Sequence, residues 1–320
     1  MIQENPLVTV IALCYNHDRF LDEALQSIVN QDYSNIELII VDDFSVDNSV
    51  EIILKFVKNN VSWKTIFNEN NHGNCRSFNK ALKIANGKYV IDFSTDDVML
   101  PERVAKQVEK FEKSSDKIGV VYSNGTYIDE NSQFLKNRQV LDDSTMPEGD
   151  VYQHFLRSSF LIPCTMMIKK DVLDKMGGYD ENLAYEDLDF WIRSSRTWEY
   201  AYIPEILSFQ RIVKGSHSAS FYKKHNLLTP SAVEVCKKAL LLNKTEEENE
   251  ALLIRMRAII IKCVLSENFQ AGKELVKIIE DLNGHDFKSW LFSKLLLLKL
   301  PFGLISNNYI EVRRFIKFRI

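Results

Sequence analysis

The sequence predicts a doubly wound α/β domain followed by a helical C-terminal module. Two continuous β-branched runs, VTVIAL at 8–13 and IELIIV at 36–41, read as strands buried on both faces, as in a parallel sheet. Amphipathic stretches alternate with such runs through the first 225 residues. From 226 to 320 the strand signal stops, and Leu, Lys and Glu recur at helical spacing.

Taken in order, residues 20–31 place Leu21, Leu25 and Ile28 on one helical stripe after the first strand. A helix over 50–57 follows the second strand, then a short strand at 64–67. A helix over 77–85 comes next, with Gly87 standing where a C-terminal cap belongs. Residues 89–93 form another strand, and Pro101 opens a helix at a favoured first-turn position. A strand begins at 119–122, and the polar stretch 129–150 reads as a loop or hairpin excursion. Residues 163–168 return to strand character, 185–196 fit a helix, and 206–212 look like a strand. Neither an internal repeat nor a low-complexity tract is visible. In a mostly parallel sheet flanked by helices, ligands sit at the carboxyl ends of the strands, so residues just after the strands are the first candidates for chemistry.

The bulk numbers narrow the class. A chain of 320 residues, 45% hydrophobic, can bury a full core and an accessory module. Its net charge of −4 argues against a nucleic-acid partner. Five cysteines, Cys14, Cys75, Cys164, Cys236 and Cys263, have no zinc or redox spacing and read as reduced thiols of a cytoplasmic protein. The polar N-terminus lacks a signal-peptide pattern, and no run reaches the ~20 apolar residues of a membrane span. Charge is uneven, however: from His285 onward seven Lys/Arg stand against Asp286 and Glu311.

Three adjacent carboxylate pairs stand out: Asp42-Asp43 after the second strand, Asp96-Asp97 after YVIDFST, and Glu186-Asp187 opening EDLDFWIR. Acids and serines after a strand also cap helices and favour their first turns. Three such pairs, two of them at strand ends, point beyond capping to a cation or hydrogen-bond donors nearby.

The blocks VTVIALCYN, VDDFSVDNS, NGKYVIDFSTDDVMLP and GGYDENLAYEDLDFWIR, in this order and spacing, resemble a family 2 glycosyltransferase with the GT-A fold. They cover about the first two-thirds of the chain. The resemblance implies an enzyme of hexosyltransferase type. It would move a sugar from a nucleoside-diphosphate donor, such as a UDP-sugar, to a glycan or lipid-linked saccharide in surface polysaccharide synthesis, with inversion and a divalent cation. It implies that Leu13, Tyr15 and Asn16 hold the nucleobase, Tyr15 by stacking unless it simply packs. Asp43, with Asp42 behind it, would contact base and ribose. Thr95, Asp96 and Asp97 match the family's DxD-type motif for ribose and Mn²⁺ or Mg²⁺, with Asp97 as the chosen metal ligand. Ser94 stands where many relatives have the first acid. Asp187 would be the general base and Glu186 its neighbour, with Asp189 a competitor. His217, in GSHSAS, would close over diphosphate or metal if it is not an ordinary surface histidine. Arg76 and Arg211 are donor contacts or solvated residues.

The tail 287–320 mixes Trp290, Phe292, a Leu run, Tyr309 and Phe315 with basic residues. This suits either an anionic membrane surface, placing the protein at the inner face of the cell membrane, or packing on itself or a second subunit in a homo-oligomer. Two other classes fit the sequence less well. A nucleotidyltransferase would want a Gly-rich basic loop where ALCYNHDRF stands. A nucleotide-sugar-binding protein without transferase activity is favoured only by Ser94.

Overall fold

β1 (Val8–Cys14) is buried at every position and runs parallel between β2 (Ile36–Asp42) and β4 (Tyr89–Ser94); β3 (Lys64–Phe67) continues the parallel set beside β2. This is the two-sided burial that the run VTVIAL predicts. The computed structural model in which these elements are seen describes residues 5–58, 62–137, 145–213 and 221–299. Helices α1 (Asp18–Val29), α2 (Ser49–Lys58) and α3 (Asn74–Leu82) connect the strands. α1 buries Leu21, Ala24, Leu25 and Ile28 in one core with Val10, Ala12, Ile40, Ile91 and Phe93. Each large aliphatic side chain so buried is worth about 1.5–3 kcal/mol.

Beyond β4 the chain adds β5 (Val98–Met99), α4 (Arg103–Glu112), β6 (Ile118–Ile128) and β7 (Phe134–Asn137). Next come α5 (Tyr152–Arg157), β8 (Met166–Lys169), α6 (Lys170–Met176), α7 (Glu186–Ser195) and β9 (Glu199–Arg211). The sheet order is β3-β2-β1-β4-β8-β6-β9-β5, with β7 paired to β6. β8 runs antiparallel to both β4 and β6, β6 and β9 are parallel, and β5 is antiparallel to β9, so the sheet is mixed past β4.

Two local readings change. β9 begins well before residue 206: Pro204 and Glu205 sit where the register with β6 shifts between Ser123 and Asn124, and a bulge is where a strand tolerates proline. Gly87 is not a helix cap, because α3 ends at Leu82. A Cβ on Gly87 would lie 2.5 Å from the Thr9 backbone nitrogen, so glycine here permits close approach to β1. All five cysteines are free and buried.

The chain divides into two compact units, each described by itself. The first takes Met1–Asp150, Phe160–Glu181 and Thr197–Ile212, and holds the sheet. The second takes Val151–Ser159, Asn182–Arg196 and Val213–Ile320. Its described elements are α5, α7, α8 (Leu228–Leu242), α9 (Glu246–Leu265), α10 (Phe269–Asp281) and α11 (Phe287–Leu298). α9 is its central helix, touching α5, α8, α10 and α11. Thr245 caps α9 by accepting the Glu248 N–H, and buried Arg255 donates to the carbonyls of Phe155 and Leu156. The apolar faces of α5 and α7 meet where Phe155 and Trp191 stack, which explains why two short segments from before residue 226 join the helical unit. Among the described residues no helix is long and apolar enough to cross a membrane.

Candidate functional site

At the carboxyl end of the parallel strands in the first unit, the register sets Cys14 beside Asp42 and Leu13 beside Ser94. Two further backbone bonds tie the strand exits together, Asp43 N–H to the Cys14 carbonyl and Thr95 N–H to the Leu13 carbonyl. Leu13, Tyr15, Asn16, Asp42, Asp43, Thr95 and Asp96 therefore gather at one sheet edge. Asn16 has φ 55°, and its Oδ1 accepts the Val46 N–H at 2.8 Å while its own N–H donates to Ser45 Oγ. Asparagine is one of the few residues that adopts this left-handed backbone readily. Tyr15 is exposed beside it.

Sequence reasoning passed over two residues here. Phe44, also exposed, holds φ 69°, a strain of about 1–3 kcal/mol for a bulky residue that is commonest near functional sites. The signal available was a large apolar residue directly after an acid pair. His17 is the other: its Nδ1 lies 2.9 Å from Thr95 Oγ1, and that hydroxyl also donates to the Leu13 carbonyl.

The two acids after β2 divide their work. Asp42 accepts the Ser45 N–H on Oδ2, while its buried Oδ1 has no hydrogen-bond partner among the described residues. Asp43 is a loop organiser. Its Oδ1 accepts from the Asn68 amide and the His72 N–H, each at 2.9 Å, and its Oδ2 accepts the Gly73 N–H at 2.7 Å. It thereby fixes the turn into α3, where Arg76 is exposed and lies 3.5 Å from Glu181.

The acids after β4 also differ from each other. Asp96 is half-buried, and Ser94 Oγ donates to its Oδ1 at 2.6 Å. Ser94 thus orients a carboxylate where an acid would repel it. Asp97 is only 4% exposed, with its Oδ1 accepting the Arg211 N–H at 2.8 Å. Burial, then the Asp96 charge, pushes the Asp97 carboxyl well above the usual carboxylate range. Arg211 is not a solvated residue. Its guanidinium is buried and donates to the carbonyls of Asp96 and Asp129, to Ser132 Oγ and to Glu23 Oε2.

Glu186 and Asp187 lie in the second unit, half-buried in the first turn of α7. Asp189, one turn in, is buried: Arg193 Nε donates to its Oδ2 at 2.7 Å and Lys238 Nζ to its Oδ1 at 2.9 Å. Both its oxygens are therefore held by cations. His217 lies outside the described residues.

Among the described residues no group of three or more His, Cys, Asp or Glu could hold a metal ion by itself. The donor set still suits a hard cation. Asp96 offers an oriented oxygen ligand at a strand end, and the ion would complete its shell with phosphate oxygens and water, as Mg²⁺ and Mn²⁺ commonly do.

Comparison with known proteins gives one consistent picture. The family model described as Glycosyl transferase family 2 matches residues 9–177. The chain is 33% identical over 228 residues to an uncharacterized glycosyltransferase of Methanocaldococcus jannaschii, covering 70% of this chain and 77% of the relative. Among solved structures it is similar to Staphylococcus aureus TarS 1-349 in complex with UDP-GlcNAc. The TM-score is 0.71 at 18% identity, with 95% of this chain and 92% of that chain covered. It is also similar to the mannosyltransferase PcManGT from Pyrobaculum calidifontis, solved with GDP-Man and Mn²⁺. Here the TM-score is 0.61 at 16% identity, over 97% of this chain and 84% of that one. These likenesses fix the fold as GT-A, with its mixed sheet, flanking helices and helical C-terminal part.

Proposed function

Because the chain belongs to glycosyl transferase family 2 and is a glycosyltransferase, we propose that it transfers a sugar from a nucleoside-diphosphate donor to a saccharide or lipid-linked saccharide acceptor, with inversion at the anomeric carbon. The observation that carries this reading is the convergence of Tyr15, Asn16, Asp42, Thr95 and Asp96 at the exits of β1, β2 and β4. UDP-sugars are the first donors to try, in line with the UDP-GlcNAc held by TarS.

In this reading the loops after β1 and β2 bind the nucleoside, Tyr15 by stacking on the base and Asp42 and Asp43 by shaping the loops around base and ribose. Arg76 stands at the start of α3 as a diphosphate contact. Asp96, rather than the buried Asp97, meets Mn²⁺ or Mg²⁺, and His217 is a further ligand. When bound, the cation would offset charge on the departing diphosphate. Asp187 takes the proton as the acceptor hydroxyl oxygen bonds to the anomeric carbon and the carbon–oxygen bond to the diphosphate breaks. Glu186 orients the acceptor. Asp187 is preferred over Asp189 because both oxygens of Asp189 already accept from Arg193 and Lys238. Surface glycan synthesis on the cytoplasmic side of the cell membrane is the setting this chemistry suits.

The test is nucleoside-diphosphate release from a panel of UDP- and GDP-sugars with Mn²⁺, with and without saccharide acceptors. Asp96→Ala and Asp187→Ala should each lower turnover at least ~100-fold. Full turnover in both variants overturns the assignment of roles.

A further inference from the structure

α11 wears its polarity inside out. Its inward face buries Ser289, Ser293 and Leu296, against α9 and α10. Its outward face carries Phe287, Trp290, Leu291, Leu297 and Leu298, with Phe287 77% exposed and both leucines 63%. At about 100° per residue these five side chains fall within an arc of about 120°. A surface helix normally turns such a stripe toward the core, so a contiguous apolar stripe on the outside marks a surface made to be covered.

The charges around the stripe indicate what covers it. Lys294 falls inside the arc, its Nζ 5.7 Å from the Trp290 ring centroid, while Phe287 and Trp290 stack with centroids 6.2 Å apart. Lys288 is exposed about 60° beyond one edge of the arc, and Lys299, also exposed, is the C-cap residue just past the helix end. The acid at the helix start, Asp286, accepts the Ser289 N–H and serves as the cap. The following sequence, 300–320, carries Arg313, Arg314, Lys317 and Arg319 against Glu311. Leucines and aromatic rings in the middle with lysines among and beside them match a lipid headgroup boundary, where apolar side chains enter the acyl layer and ammonium groups meet phosphates.

We propose that the outward face of α11 lies flat on an anionic lipid surface. Phe287, Trp290, Leu291, Leu297 and Leu298 enter the headgroup–acyl boundary, and Lys288, Lys294 and Lys299 contact lipid phosphates. α11 is too short and too lysine-rich to cross a bilayer, so it attaches in the plane. This docking is independent of the donor and catalytic assignments above.

The test uses the full chain and extruded vesicles of phosphatidylcholine, with or without one-third phosphatidylglycerol. Wild type should co-sediment with the anionic vesicles at low salt at least ~10-fold more than with neutral ones, and lose most of that preference at ~0.5 M salt. Leu291→Ser with Leu298→Ser, both at exposed positions and checked for unchanged thermal unfolding, should lower binding ~10-fold or more. Lys288→Glu with Lys294→Glu should do the same for anionic vesicles alone. Quenching of Trp fluorescence by brominated lipid should be lost in Trp290→Tyr. The proposal is overturned if wild type ignores anionic vesicles or if α11 variants bind like wild type. It is equally overturned if the stripe proves to be a dimer contact, with wild type sedimenting as a dimer and the leucine variant as a monomer.

Discussion

Arg211 and Asp97 are joined through the backbone of one and the carboxylate of the other: the Arg211 N–H donates to Asp97 Oδ1 at 2.8 Å. The same arginine donates Nε to the Asp96 carbonyl, also at 2.8 Å. A single residue at the end of β9 thus holds both acids that follow β4. Its guanidinium lies over the Phe20 ring and reaches Glu23, so the turn carrying Asp96 is tied to α1 as well.

Replacing Arg211 should therefore cost stability and turnover together. Arg211→Ala strands the Asp96 carbonyl, removes one of the two donors to the Asp129 carbonyl and leaves the Arg211 pairing with Glu23 unmade, and we expect about 2–4 kcal/mol of destabilisation in urea unfolding. Arg211→Lys should recover less than half, since one ammonium cannot donate in four directions. A wild-type unfolding midpoint for Arg211→Ala would remove its role as a staple.

Asp96 and Asp97 should separate cleanly when each is changed to asparagine. Asp97→Asn keeps an acceptor for the Arg211 N–H and removes a buried acid, so it should stay folded and keep measurable activity. Asp96→Asn should raise the Mn²⁺ concentration needed for half-maximal turnover at least ~10-fold. A metal titration at saturating donor checks this, and the reverse ranking would return the ligand role to Asp97.

Asp43→Asn tests the loop. The carboxylate satisfies three donors through two oxygens, and an asparagine offers only one acceptor oxygen. We expect a loss of about 1–3 kcal/mol by thermal or urea unfolding, and weaker nucleotide binding by calorimetry because the entry to α3 loosens. Unchanged stability would mean that the 68–73 loop is fixed by other contacts.

A pH dependence follows from Glu37, at the other end of the sheet. Burial by itself would raise its carboxyl. The Asn86 N–H, the Lys64 ammonium, the Thr9 hydroxyl and the Asn86 amide outweigh it and hold it at about 2, against an ordinary value of 4.5. A depressed carboxyl stabilises the fold above its unfolded value, and that stability is lost as pH falls through the folded value. Wild type should exceed Glu37→Gln by about 1–2 kcal/mol at pH 7, and the gap should close between pH 4.5 and 2. Urea unfolding at these pH values measures it; a gap independent of pH would rule out the charge as its source.

Much of the first unit was legible in the order of residues. Runs such as VTVIAL and IELIIV admit few environments besides a strand buried on both faces, and local pattern also set α1, the strand exits and the helical character after residue 226. The family blocks placed the acid pairs at the strand ends, where the structure has Asp42, Asp43, Asp96 and Asp97. What each acid does was not legible. Adjacent carboxylates look alike in a sequence, and their roles depend on partners far along the chain. Asp97 Oδ1 accepts from the Arg211 N–H, Asp43 accepts from Asn68, His72 and Gly73, and one oxygen of Asp189 accepts from Lys238. The antiparallel β8, the bulge at Pro204 and the recruitment of α5 and α7 into the helical unit were likewise hidden, because each is set by which neighbour covers an apolar face. The outward stripe of α11 makes the same point: its composition was plain in the sequence, but only packing decided that Ser289 and Ser293 face in while Leu291, Leu297 and Leu298 face out. Local sequence fixes what a segment can become, and the burial and hydrogen bonds that assign its work come from residues the chain brings back from a distance.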